Sequence, residues 1–202
     1  MKEGVRYVCL DTETTGTLVR KGHRILEIGC VEVIDGVITG NEYHTFLNPE
    51  CEIDKEAIAV HGITQETVKN EPKFEKIAGD FQSFIENSVL VIHNASFDIS
   101  FLNNELDLAN LHKIENEVID TLILARKKYV GERASLDALC TKFAVDRASR
   151  TLHGALLDAK LLAEVFLQLD KETEIHGKVL KYIMDNNSTR NNYSHLQFVS
   201  LA

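Results

Sequence analysis

The first third of the chain consists of short apolar runs separated by polar breaks, which is typical of β-strands. Residues 5–10 form a β-prone run, and the polar segment 11–16 ends it. Two longer runs, 25–34 and 37–47, are separated only by an Asp-Gly pair. Because Asp-Gly between β-prone runs is a strong hairpin signal, we predict three antiparallel strands at the start of the fold.

Apolar residues recur at helical spacing further along the chain, and the helices they predict alternate with short strands. In chain order we predict a helix over residues 72–87, a strand over 89–92, a helix that carries Phe101, Leu102 and Leu106, a strand at 118–119, a helix capped by Ser135 and a helix over 154–169. Three strands followed by alternating helices and strands predict an α/β fold, with helices packed on both faces of one mixed sheet.

The pattern changes near residue 170. A stretch rich in lysine and glutamate over 172–184 favours a further helix, residues 185–192 are too polar to be buried, and residues 193–202 turn apolar again. We therefore predict a core domain over residues 1–170, followed over 171–202 by a helix, a polar linker and a short apolar tail. The tail either docks on another protein or packs back on the domain.

Composition and charge exclude some classes of function. A length of 202 residues with 44% hydrophobic residues suits one domain with a single real core. The 31 acidic residues outnumber the 22 basic ones, which argues against a protein that coats nucleic acid by neutralising phosphates. A nucleic-acid footprint would have to be small or assisted by metal ions.

The cysteine spacing and the N-terminal sequence both favour a cytoplasmic protein. The four cysteines are widely separated, without the paired spacing of a zinc knuckle or a redox motif, so we expect reduced thiols that are mostly buried. No apolar run is long enough to span a membrane, and no signal sequence opens the chain. We expect a cytoplasmic protein.

Candidate chemistry begins where the first strand meets its polar end. Asp11 and Glu13 are two residues apart, so in a strand their carboxylates project from the same face. Adjacent carboxylates repel each other unless a hard cation such as Mg²⁺ or Mn²⁺ neutralises them. The alternative is a solvated turn, in which such pairs are common.

Further carboxylates follow at the starts of two predicted helices. Asp98 comes shortly after the strand at 89–92, where it could instead complement the first turn of a helix. Asp158 lies on the apolar side of its helix and needs a partner, either a cation or a basic side chain. His153 is five residues earlier, so we place it before or at the start of that helix.

Taken in order, Asp11-x-Glu13, Asp98 and His153-x4-Asp158 resemble the three motifs of the DEDDh superfamily of 3′→5′ exonucleases. The chain is most similar to the family of epsilon proofreading subunits of bacterial DNA polymerase III, over about residues 5–169. The segments that carry this likeness are LDTETTG at 10–16, EIG and VEV within 27–33, VHGI at 60–63, VIHNASFDI at 91–99, SLDALC at 135–140 and RTLHGALLDA at 150–159. The resemblance implies a ribonuclease-H-like fold and the metal-dependent removal of mismatched 3′-terminal nucleotides from DNA.

The resemblance also implies roles for single residues. Asp11, Glu13, Asp98 and Asp158 would hold two divalent cations, Mg²⁺ or Mn²⁺, and His153 would act as the general base. The implied substrate-binding residues are Asp11, Thr12, Glu13, Glu56, His61, His93, Asn94 and Asp158. Outside the resemblance, His61 and His93 could be ordinary turn or strand-end histidines, and Glu56 a solvated residue.

The implied partners are a single-stranded 3′ end of DNA, the polymerase III alpha subunit and other replisome subunits, with no membrane contact. The location would be the cytoplasm, at the nucleoid-associated replisome. A clamp-binding motif expected after residue 169 is missing, and residues 197–201 match one poorly.

Three other functions compete with this interpretation. The first is an RNA-directed exonuclease of the same superfamily, disfavoured by the VHGI and RTLHGALLDA segments. An Asp-nucleophile phosphatase is disfavoured because its second acid is an aspartate, whereas this chain has Glu13. A non-catalytic polymerase scaffold is disfavoured by the complete set of acids, since clustered carboxylates cost stability without compensation.

Overall fold

A computed structural model describes residues 4–147 and 152–186, and its centre is a five-stranded sheet. The strands are β1 (Arg6–Thr14), β2 (Ile25–Ile34), β3 (Val37–Phe46), β4 (Val89–Ile92) and β5 (Val118–Asp120). Their order in the sheet is β3-β2-β1-β4-β5, with β1, β2 and β3 antiparallel and with β4 and β5 parallel to β1. The predicted mixed sheet is confirmed. The predicted hairpin forms as well, because Asp35 and Gly36 both adopt the positive φ angles that a tight two-residue turn requires.

Eight helices occur in the described ranges. They are α1 (Lys55–His61), α2 (Gln65–Val68), α3 (Phe74–Ile85), α4 (Ala95–Leu108), α5 (Thr121–Lys128), α6 (Leu136–Phe143), α7 (Ala155–Thr173) and α8 (Ile175–Asn186). A 3-10 turn at Val19–Lys21 follows β1. The sequence pattern predicted α3, α4, α6, α7 and α8 but not α1, α2 or α5. Helices α1 and α2 have seven and four residues, too few for a helical period to be visible, and α5 buries only Thr121 and Ala125, so its sequence has no continuous apolar face.

The sheet has a hydrophobic core on each face, because neighbouring residues of its strands point to opposite sides. In β1, Tyr7 and Cys9 pack in a core with α7, whereas Val8 and Leu10 pack in a core with α3 and α4. Helices therefore cover both faces, as predicted. Cys9, Cys30 and Cys140 are buried and Cys51 is half-buried, and these four residues, all within the described ranges, form no disulfide.

Helix α7 approaches the sheet unusually closely at Gly29 of β2. A Cβ atom at this position would lie 2.3 Å from backbone atoms of Ala155 and Leu156. The absence of a side chain at residue 29 therefore lets the first turn of α7 rest directly on β2.

The first half of α8 belongs to the core. Ile175 is completely buried, Val179 is 5% exposed, and the Tyr7 hydroxyl lies 3.1 Å from Nδ1 of His176. Residues 187–202, which include most of the predicted linker and all of the apolar tail, lie outside the described residues, and so do Arg150 and Thr151. Within the described ranges, every helix lacks the length or the apolar character needed to cross a membrane.

Candidate active site

A cavity of about 280 Å³ opens at the edge of the sheet where β1 and β4 end and where α4, α6 and α7 begin. Its lining residues come from these five elements and the turns beside them. They are Asp11, Thr12, Glu13, His93, Asn94, Phe97, Asp98, Ser135, Leu136, Asp137, His153 and Asp158. Because carboxyl ends of parallel strands meet at this edge, residues that are distant in sequence become neighbours.

Strand β1 continues to Thr14, whereas the sequence pattern ended it at residue 10. Asp11 pairs with Gly29 of β2, Glu13 pairs with Glu27, and the register shifts only between Glu13 and Thr14. The strand continues because β2 supplies a hydrogen-bonding partner for its backbone, although its side chains here are polar. The result is that Asp11 and Glu13 are held on a paired strand rather than on a turn, and Glu13 is buried.

Asp98 links α4 to the end of β1. Its Oδ1 accepts hydrogen bonds from the Thr12 backbone N–H at 3.1 Å and from the Thr12 hydroxyl at 2.8 Å. The residue is only 3% exposed, and this burial raises the pKa of its carboxyl group to about 7, against the bonds from Thr12, which lower it. Asp98 also lies in the first turn of α4, as one of the two alternatives expected, while its position in the cavity lining leaves the cation-binding alternative open as a prediction.

His153 and Asp158 meet across the start of α7. His153 precedes the helix, as predicted, and its Nδ1 lies 3.0 Å from Oδ2 of Asp158. The Asp158 carboxylate is 3% exposed, whereas the His153 side chain is 46% exposed. The His153 backbone N–H donates to the Val60 carbonyl at 3.2 Å, which fixes this segment against the end of α1.

The donor set suits a hard cation. One ligand atom from each of Glu13, His153 and Asp158 falls within 4.8 Å of the other two. Asp11 and Asp98 line the same cavity. Buried carboxylates at such density repel one another unless positive charge or protons compensate, and oxygen ligands are those that Mg²⁺ and Mn²⁺ prefer.

His93 and Asn94 lie between β4 and α4, on the cavity wall. Asn94 has the left-handed conformation (φ 71°), and its backbone N–H, like that of Ala95, donates to the carboxylate of Asp120. Asp120 also caps α5. His93 Nδ1 lies 2.9 Å from the hydroxyl of Thr121, and burial lowers the pKa of this imidazole.

Two predicted substrate-binding residues are not part of the cavity lining. His61 is buried, its Nδ1 accepts from the Ile63 backbone N–H at 2.9 Å, and its Nε2 lies 3.2 Å from the Thr14 carbonyl. Burial lowers the pKa of His61, which suits a neutral ring that supports the end of β1. Glu56 is exposed in the first turn of α1. Their substrate-binding roles stay predictions.

Four lining residues were not predicted as site residues: Phe97, Ser135, Leu136 and Asp137. Phe97 lies within the VIHNASFDI segment, next to Asp98. The other three form the start of α6, and Ser135 caps this helix through the Ala138 backbone N–H, as predicted. The capping serine marked a helix start, but nothing in the sequence indicated that this start faces the other strand ends.

The family comparison agrees with this geometry. Residues 8–166 match the family model described as Exonuclease, which is well over half of the chain. The chain is therefore a 3′→5′ exonuclease by family.

Its relatives define a narrower group. The chain is 47% identical over 194 residues to the DNA polymerase III subunit epsilon of Rickettsia typhi, covering 89% of this chain and 85% of that protein. It is 46% identical over 172 residues to the protein of the same name from Escherichia coli K12, covering 81% and 71%. The chain belongs to the exonuclease family and, within it, to the family of DNA polymerase III epsilon subunits.

Solved structures show the same fold. Exonuclease X in complex with 5′ overhanging duplex DNA is 29% identical, with a TM-score of 0.67 over 84% of this chain and 93% of that one. The nuclease domain of 3′hExo, a DEDDh family member bound to rAMP, reaches a TM-score of 0.73 at 18% identity, covering 85% and 94%. The ribonuclease-H-like fold expected from the motifs is confirmed.

Proposed function

We propose that this exonuclease removes mismatched 3′-terminal nucleotides from DNA as the proofreading subunit of DNA polymerase III. The observation that carries the proposal is the convergence of Glu13, His153 and Asp158 in a cavity that Asp11 and Asp98 also line. Names of relatives at 45–50% identity support the assignment to this polymerase.

Asp11, Glu13, Asp98 and Asp158 would hold two divalent cations, Mg²⁺ or Mn²⁺. Their oxygen atoms and their burial support this assignment, since a buried carboxylate such as Asp98 is stable in its charged form only beside positive charge. When bound, such cations supply the charge that activates water and stabilises a leaving 3′ oxygen. Metal-assisted chemistry also explains how an acidic protein can use a nucleic-acid substrate.

His153 would take the proton from the attacking water. Its Nδ1 is engaged with Asp158, so we assign the proton transfer to Nε2. Asp158 would then orient the imidazole as well as carry charge. The exposure of the His153 ring agrees with a group that must exchange its proton with solvent after each turnover.

The terminal nucleotide would be held by the remaining polar wall of the cavity. Of the predicted substrate-binding residues, six line it: Asp11, Thr12, Glu13, His93, Asn94 and Asp158. His61 would contribute indirectly, by holding the Thr14 carbonyl at the end of β1. A cavity of about 280 Å³ suits one nucleotide rather than a base pair, so a frayed or mismatched end would enter most easily.

The polymerase III alpha subunit would be the main partner, together with other replisome subunits, in the bacterial cytoplasm at the nucleoid. The catalytic domain predicted over residues 1–170 would also include the first half of α8, whose Ile175 and Val179 are part of the core, and the rest of the predicted C-terminal region would extend it towards partners. The names of the relatives support this assignment.

The test uses the full chain with 3′-mismatched and matched primer–template DNA, and with RNA of the same sequence, in Mg²⁺ or in EDTA. We expect mononucleotides released fastest from the mismatched DNA end, none in EDTA, and none above background from Asp11→Ala. Asp80→Ala is the matched control, because Asp80 is an exposed acid of α3 that does not line the cavity. Equal rates on matched and mismatched ends, or faster cleavage of RNA than DNA, would contradict the proposal.

A further inference from the structure

Two arginines flank the His93 side of the cavity. Arg126 is exposed on α5, and the hydroxyl of Thr121, the first residue of this helix, lies 2.9 Å from His93 Nδ1. Arg133 is exposed in the segment before α6, two residues before Ser135, which lines the cavity. Both arginines therefore lie on segments that adjoin the cavity wall.

These arginines differ from the others that pack on the fold. Arg6, Arg24 and Arg147 pair with Glu32, Glu105 and Asp137, respectively. In the part of the chain that the structure describes, neither Arg126 nor Arg133 has an acidic partner within 4 Å. An exposed guanidinium that stabilises nothing inside the fold is available to bind an anion from solution.

The region that contains both arginines has a net positive charge, whereas the whole chain has a net negative charge. Residues 121–147 carry six basic side chains and three acidic ones, although the chain as a whole has a net charge of −9. Exposed Ile123 lies one helical turn before Arg126 and adds an apolar surface. Positive charge is what holds the phosphate backbone of a single nucleic-acid strand, and an exposed apolar side chain beside it adds contact area for the bases.

We propose that Arg126 and Arg133 bind phosphates of the nucleic-acid strand behind the terminal nucleotide and lead that strand past His93 into the cavity. The occupant is a phosphodiester strand, because the arginines lie outside the cavity wall and a lone nucleotide within the cavity would not extend to them. This inference rests on the proposed function only in needing a strand that enters the cavity; DNA and RNA share the phosphates involved.

The experiment compares Arg126→Ala/Arg133→Ala with Lys76→Ala/Lys178→Ala, which removes the same charge from exposed positions of α3 and α8. Three substrates are used with the full chain: a 12-nucleotide DNA strand, the same RNA strand and the p-nitrophenyl ester of thymidine 5′-phosphate. We expect the arginine variant to raise KM for the strand about tenfold, with kcat within twofold and the ester hydrolysed at the normal rate.

Salt dependence gives a second measurement. Each phosphate contact to a single strand contributes about 0.7 to the slope of log affinity against log salt concentration, so the slope should fall by about 1.4. Arg126→Lys/Arg133→Lys keeps both positive charges and should bring KM and the salt slope most of the way back to the values of the unmodified chain. A general folding defect at these positions would not be repaired by lysine.

Unchanged KM and salt slope for the strand, or an equal loss on the ester, would overturn the inference. If the unmodified chain cleaves RNA and not DNA, the proposed function fails. In that case, KM and the salt slope measured with the RNA strand test the role of the arginines.

Discussion

Asp98 makes the stability of the molecule depend on pH. Its carboxyl group has a pKa of about 7 in the fold, raised by burial, whereas an unfolded aspartate titrates near 3.9. Between these values the folded protein holds a proton that the unfolded chain has released, so the contribution of Asp98 to stability is full below about pH 4 and is lost as pH rises through 7.

We therefore expect the metal-free protein to melt several degrees lower at pH 8 than at pH 5.5, and Asp98→Asn to remove most of that difference. Melting curves in EDTA at the two pH values measure it, with Asp80→Asn as the exposed control. Added Mg²⁺ should raise the melting temperature at pH 8 in the unmodified chain but much less in Asp98→Asn. An unchanged pH dependence in Asp98→Asn would contradict the expectation.

His153 should act as the proton acceptor of the reaction. Removing a general base costs about 10²- to 10⁴-fold in kcat, so we expect a loss of that size in His153→Ala. His44→Ala is the control, because His44 pairs with Glu27 and does not line the cavity. A loss in His153→Ala no larger than that in His44→Ala would exclude the role of general base.

At the scale of elements, the contact between α7 and β2 fixes where Asp158 lies. A methyl group at residue 29 would meet backbone atoms of α7 at 2.3 Å, and backbone cannot rotate away as a side chain can. We expect Gly29→Ala to displace the start of α7 and to lower kcat by at least tenfold, with a loss of stability of about 1–3 kcal/mol.

Gly79→Ala provides the matched control. Gly79 lies in α3, where a methyl group would meet no atom within 4 Å beyond the local backbone of the helix itself, and alanine is the better helix former by about 0.5–1 kcal/mol. Gly79→Ala should thus keep full activity and gain slightly in melting temperature. Normal activity in Gly29→Ala would show that the position of α7 is less constrained than the close contact implies.

Most elements could be predicted from the sequence because their patterns are local. The Asp35-Gly36 turn and the apolar face of α3 each depend on residues close in the chain. The end of β1 could not be predicted, since its polar residues extend only because β2 pairs with them. The start of α6 was missed as a cavity wall for a related reason: its neighbours in space come from β1, β4 and α7.

At the scale of the whole molecule, removing the segment after α8 should have a different effect from removing α8 itself. Removing residues 187–202 should leave hydrolysis of free single-stranded DNA within about twofold, while weakening co-purification with the polymerase. The motivation is the return of Leu196, Phe198, Val199 and Leu201 after a polar stretch, since a tethered motif raises the local concentration of its partner.

Removing α8 as well is the contrasting truncation. Ile175 and Val179 are buried in the core with α7, and such side chains contribute about 1.5–3 kcal/mol each. A chain ending at Thr173 should therefore melt roughly 10 °C lower. If the shorter truncation at 186 also lowered the melting temperature by several degrees, the tail would belong to the core, and the docking role would be wrong.

The close contact of α7 with β1 and β2 has a consequence for biosynthesis. The proposed cation ligands begin at Asp11 and end at Asp158, and the last of them arrives on a helix that packs against the first strands. Translation proceeds from the N-terminus, so a nascent chain that has not yet reached Asp158 would lack part of the proposed cation site. Nuclease activity would therefore have to wait until the helix that carries Asp158 has been made and has packed on the first strands.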